Sequence, residues 1–154
     1  MKVSIALKPW FFATSLITVI LLLVFLAHAS ISEHHDSSLR LAAHEVLKAA
    51  GYPDTRAGDR INTGHSGHVY RYRYSAQGPV PGSIALVRLQ GSFGPVLAVF
   101  FIKQSGQAEL CGIAGVPLRK DETPVNQAIR TGITPRNLER WIARLHTVAE
   151  GGNK

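Results

Sequence analysis

Apolar and polar positions divide the chain into an evenly apolar stretch, a stretch of helical spacing, and a stretch of alternation broken by glycine and proline. The first runs from Pro9 to Ala27 without a charge, and Thr14, Ser15 and Thr18 are its only polar residues. A helix needs about 20 mostly apolar residues to cross the hydrocarbon core of a bilayer, so this run spans one with little tilt. Pro9 stands at its start, where helices tolerate proline because the missing N–H would have no partner there. Lys2 and Lys8 precede the run, and the first positive charge beyond it is Arg40, after Glu33 and Asp36. That asymmetry keeps the N-terminus in the cytoplasm and sends everything from about residue 30 to the periplasm or the cell exterior.

Two fates of this segment stay open. Ala27-His28-Ala29 has the small-x-small pattern of a signal-peptidase site, which would cut ahead of Ser30 and release the chain to the periplasm. The apolar run is longer than the usual signal core of about 7 to 15 residues, and Trp10 sits where an anchor meets the membrane interface, which argues for a retained single-pass helix over about residues 9–27 in the inner membrane. Residues 1–29 are therefore read as signal-anchor or signal peptide, and residues 30–154 as one exported domain.

Helical spacing follows. Leu39, Ala43, Val46, Leu47 and Ala50 recur on one side of a helix from Asp36 to Ala50, with Asp36 or Ser37 as its N-cap and Gly51-Tyr52-Pro53 as its end. His34 and His35 fall at the flexible foot of the domain, and the polar, glycine-containing stretch Asp54 to Gly67 reads as a loop. His68 to Ser75 then alternates, with His68, Tyr70, Tyr72 and Tyr74 on one face and Val69, Arg71, Arg73 and Ser75 on the other. Further strands are expected over Ser83–Gln90, Val96–Lys103 and Ala108–Val116, separated by short turns at Gly78–Gly82, Gly91–Pro95 and Gln104–Gln107. Thr123-Pro124 and Thr134-Pro135 each pair an N-cap type with proline at the first helical position. The first of these helices is short, ending near Gly132. The second, Pro135 to Ala149, gathers Leu138, Trp141, Ile142, Leu145 and Val148 on one side and Arg136, Arg140 and Arg144 on the other.

The order α-β-β-β-β-α specifies an α+β domain, a four-stranded antiparallel meander with flanking helices. On Val96–Lys103 both sets of alternate residues are apolar, so both sheet faces are expected to be dry, with Phe100 and Trp141 in the core. The long helices cover one face each, or they share a face and leave the other for a partner.

Charge narrows the partners. Residues 1–29 carry two bases and no acid, which leaves 15 of the 17 basic residues against 10 acidic ones and a net charge near +5 beyond the apolar segment. Such a surface suits an anionic partner, and the predicted compartment argues against nucleic acid. Arg119-Lys120 is the only adjacent basic pair, so an ordinary solvated surface accounts for the balance as well. With Cys111 the single cysteine, neither an intramolecular disulfide nor a cysteine-built zinc cluster exists, and Cys111 reads as a small buried strand residue.

Candidate chemistry is sparse. His65 and His68, three apart in a glycine loop, are metal-ligand types without a third ligand fixed by sequence, and no cofactor is expected. Ser66 between histidines lacks the strand-to-helix nucleophile elbow, and no catalytic set nominates itself. Tyr70, Tyr72 and Tyr74 beside Arg71 and Arg73 form the most distinctive pattern, either a stacking face with anion-binding arginines or the edge of a core with a solvated side. The expectation is a non-enzymatic accessory domain of the cell envelope that works through its sheet edge or an uncovered face on another envelope protein or a second copy of itself. The alternative is a binding module for an acidic polysaccharide or lipid head group.

Overall fold

The computed structural model describes residues 7–62 and 72–151, and in it the chain divides into two compact units, Met1–Ser38 and Leu39–Lys154. Helix α1 (Leu7–Ala49) has residues in both. No proline or glycine occurs from Trp10 to Ala50, so nothing interrupts its hydrogen-bond ladder. The fresh helix start expected at Asp36 or Ser37 is absent, and the hydroxyls of Ser37 and Ser38 instead donate to His34 O at 2.9 Å within α1. The reason is cooperativity: with helix on both sides, each polar residue between them adds a hydrogen bond for one residue fixed. His34 and His35 are accordingly helical and exposed rather than part of a flexible foot.

In the first unit, Trp10–Ala27 is exposed around the whole helix. These 18 residues rise about 27 Å at 1.5 Å per residue. Among the described residues this is the one helix long and apolar enough to cross a membrane, and a signal sequence has the same length and composition. Thr14 Oγ1 donates to Trp10 O at 2.9 Å and Thr18 Oγ1 to Thr14 O at 2.8 Å. Both hydroxyls are satisfied inside the helix, as surroundings without water require.

The second unit is α+β. Five antiparallel strands, β1 (Arg56–Arg60), β2 (Tyr72–Gln77), β3 (Gly82–Gly91), β4 (Gly94–Lys103) and β5 (Ala108–Ile113), form a meander in the order β1-β2-β3-β4-β5, followed by helices α2 (Pro124–Arg130) and α3 (Pro135–Gly151). Among the described residues the sheet has one strand more than the four expected. β1 lies in the stretch read as a loop, because Arg56, Asp59 and Arg60 are exposed and give no apolar alternation. Pairing with β2 makes it a strand, with Arg56 opposite Gln77, Ala57 opposite Ala76 and an irregularity before Arg60. β3 and β4 form a long hairpin closed by Ser92 and Phe93, with Gly91 opposite Gly94. Gly94 has φ +127°, a conformation that favours glycine.

Both sheet faces are dry, and each has its own cover. Ala98, Phe100 and Ile102 of β4 pack in one cluster with Ala85, Val87 and Leu89 of β3, Ala128 of α2, and Leu138 and Leu145 of α3. Val99 and Phe101 belong to the opposite cluster, with Ile84, Leu86, Tyr74, and Ala43 and Leu47 of α1. Phe100 is fully buried. Trp141 is not, and half-buried at the border of the first cluster it lies under the Arg144 guanidinium, 5.3 Å from the ring centroid. α1 ends as its sequence specifies: Gly51 takes φ +94°, its N–H bonds Lys48 O at 3.3 Å, and Tyr52 N–H bonds Leu47 O at 2.9 Å. That turn sets the Tyr52 ring on Phe101, centroids 5.0 Å apart.

Candidate interaction surface

Of the residues singled out by alternation, Tyr70 and Arg71, and the histidines His65 and His68, lie outside the described residues. The remaining three sit on β2, and the protein itself occupies them. Tyr74, opposite Ile84, is fully buried in the α1-facing cluster with the Arg40 guanidinium 5.4 Å from its centroid. Tyr72 is half-buried and has Arg60 over its ring at 4.7 Å. Arg73 is on the other face, opposite Ala85, and its Nε donates to Ser83 Oγ at 3.1 Å. Tyr74 therefore offers no open ring face for stacking, and these tyrosines serve as the edge of a core.

No group of three or more His, Cys, Asp or Glu side chains able to hold a metal ion occurs among the described residues. Cys111 is buried on β5, and burial, reinforced by the charge of Glu109, pushes its thiol up to about 12. A thiol held protonated in this way is a packing group rather than a nucleophile.

The sheet offers little purchase to a partner. α1 closes one face, and α2 and α3 close the other. The β1 edge is short and charged, features that discourage strand addition. At the β5 edge, Ile113 N–H is taken by Gln127 of α2 at 2.9 Å.

What stands out is one corner. The tip of the β3–β4 hairpin packs on the α2–α3 turn: Ser92 Oγ donates to Gly132 O at 3.4 Å, and a Cβ on Gly91 would collide with the Thr131 carbonyl. Phe93 at that tip is 93 % exposed. Val125 and Ile129, four apart on α2 and so on one face of it, are exposed as well. In this unit the only other described large hydrophobic that is exposed is Leu41, on α1.

The corner is built rigidly. Thr123 caps α2, its Oγ1 accepting from Asn126 N–H at 3.2 Å, and Pro124 opens the helix. Arg130 grips Glu122 with two bonds, Nε to Oε1 at 2.8 Å and Nη2 to Oε2 at 2.9 Å, and also reaches Pro117 O at 3.1 Å. Arg119 N–H adds a bond to Oε2 at 2.9 Å. The bonds from Arg130, followed by that from Arg119, hold the Glu122 carboxyl down at about 2. On the segments that flank α2 in the chain, Arg119, Lys120, Asp121, Arg136, Glu139 and Arg140 are exposed. Neither the hairpin tip nor α2 was nominated by the sequence reading. A phenylalanine inside Gly-Ser-Phe-Gly, a turn too short to bury it, was the available signal.

A protein-family model described as "Uncharacterised protein" matches residues 69–153, a stretch that takes in β2 through α3. No curated protein and no solved structure matches the chain.

Proposed function

The chain belongs to the family described as "Uncharacterised protein", and we propose that it is a non-catalytic accessory domain of the cell envelope. In this reading α1 carries it to the inner membrane, or holds it there, with Lys2 and Lys8 inside and the α+β domain on the periplasmic side. It works through protein–protein contacts.

The observation that carries the reading is the corner of Phe93, Val125 and Ile129. Scattered exposed hydrophobics are ordinary, but an aromatic and two aliphatic side chains on elements that pack together are more than scatter. Aromatic residues are enriched at the centres of protein interfaces. A two-residue hairpin turn holds Phe93 on a stiff support, so its docking sacrifices little chain entropy.

A photo-crosslinking amino acid at position 93 of the full chain, activated in native membranes, tests this. One discrete adduct is expected, lost on Ile129→Asp and retained at about 0.5 M salt, where the Debye length falls to a few ångströms. Its absence, or a smear indifferent to Ile129→Asp, would remove the corner as a contact surface. The exposed arginine row Arg136, Arg140 and Arg144 favours the second reading, an anionic ligand. Association led by those charges is distinguished by its steep loss with salt and with substitution of the row.

A further inference from the structure

α3 is fixed to the sheet by one side. Leu138 and Leu145, about two turns apart, are buried in the cluster that holds Ala85, Val87 and Phe100. On the other side Arg136, Arg140 and Arg144 are exposed at four-residue intervals. At about 100° and about 1.5 Å per residue, the row covers about 80° of the helix and is about 12 Å long. Glu139, exposed about 60° beyond Arg136, is the one acidic residue between Pro135 and Val148. Trp141 lies about 60° beyond Arg144 on the opposite flank, half-buried under that guanidinium. Among the described residues no carboxylate pairs with any of the three arginines.

The chemistry of the row selects its ligand. Each cation in it is an arginine, whose planar fork of N–H donors matches phosphate oxygens two at a time and is less tightly hydrated than an ammonium. The row is straight and held by a packed helix, so it matches a surface on which phosphates repeat better than one small anion. Trp141 at its border is of the residue type that sits at the head-group level of a bilayer. Such a surface is within reach. Residues 28–38 separate Trp10–Ala27 from the second unit, and even fully extended they span no more than roughly 40 Å at about 3.5 Å per residue. With the apolar segment in a bilayer, head groups therefore meet the domain at a high effective concentration.

We propose that Arg136, Arg140 and Arg144 dock α3 on the phosphate head groups of anionic lipid, in the same bilayer that the apolar segment occupies. The proposal takes the retained-anchor form of the proposed function as its premise and is separate from the corner of Phe93. Docking gives the tethered domain a preferred side towards the membrane.

The test places the full chain in lipid nanodiscs with an environment-sensitive dye on Ala143→Cys, an exposed position on the same side of α3 as the row. The chain without that substitution, whose one thiol is buried, is the blank. Discs of phosphatidylcholine with phosphatidylglycerol are expected to shift the dye emission to the blue relative to phosphatidylcholine alone. The shift is expected to vanish at about 0.5 M salt, and to be lost when Arg136→Gln, Arg140→Gln and Arg144→Gln are combined. Glu139→Gln, a single exposed change outside the row, should carry the shift to higher salt. Ile129→Asp should leave it unchanged, which separates the row from the corner. Both leaflets hold the same lipid, so the result does not depend on which side the domain faces in the cell. Equal emission in the two kinds of disc, or a shift that survives loss of the arginines, would overturn the proposal. So would a shift lost with Ile129→Asp, which would put the corner on the bilayer instead, or one produced by a soluble acidic polysaccharide and not by anionic lipid.

Discussion

Leu47→Ala, set beside Leu41→Ala, asks whether the end of α1 is a wall of the core. Leu47 is wholly buried among Tyr74, Ile84, Leu86 and Phe101, whereas Leu41, on the same helix, is 65 % exposed. Truncating Leu47 removes three carbon atoms from the core, worth about 2.4 kcal/mol at ~0.8 kcal/mol per buried methylene. A remaining cavity of roughly 50 Å³ would add about 1.2 kcal/mol at ~24 cal/mol per Å³. Its walls are interior strands, β3 and β4, that have little freedom to close in, so a loss of roughly 3 to 4 kcal/mol is expected. That is a large part of the total of about 5 to 15 kcal/mol typical of a domain. Leu41→Ala should stay within about 0.5 kcal/mol. Urea unfolding of the full chain in non-ionic detergent, followed by Trp141 fluorescence with Trp10 replaced by Phe, measures both. A difference between the variants below about 1 kcal/mol would mean that α1 does not close the sheet.

Two further outcomes concern titratable groups. With its thiol near 12, Cys111 should resist a thiol reagent at about pH 8 in the folded chain and react promptly once the chain is denatured; prompt labelling of the native chain would place it outside the core. Glu122 is held at about 2, below the ordinary carboxylate value of about 4.3, so its contribution to folding is complete above the ordinary value and lost as pH falls towards 2. Carbon-detected NMR should find its midpoint near 2 in the wild type and well above that in Arg130→Ala, and a wild-type midpoint of about 4 would show that the grip of Arg130 is not formed in solution.

Local chemistry made much of this fold legible. Glycine and proline at residues 78–82, 91–95 and 104–107 fall where strands end, and Thr-Pro pairs at residues 123–124 and 134–135 open the two last helices. The alternation of β4 also showed that both faces would be dry. What stayed hidden depends on partners distant in sequence. β1 is polar, and its strand conformation comes from β2 rather than from its own residues. Period two tells that Tyr72 and Tyr74 share a face, but not that α1 covers it. Gln127 is a polar residue on a seven-residue helix, and only the fold shows its amide buried against Ile113 and Val116. The continuity of α1 was masked because residues 28–38 lack an apolar period, while the helix needs only the absence of a breaker.

The side of the membrane on which the α+β domain resides underlies the whole functional reading. A reporter enzyme that matures only outside the cytoplasm, fused after Lys154 of the full chain, measures it directly. It is expected to be active, and a partner fusion that works only inside the cytoplasm is expected to be silent at the same position. The opposite pair of results would put the domain on the cytoplasmic side and contradict its place in the envelope.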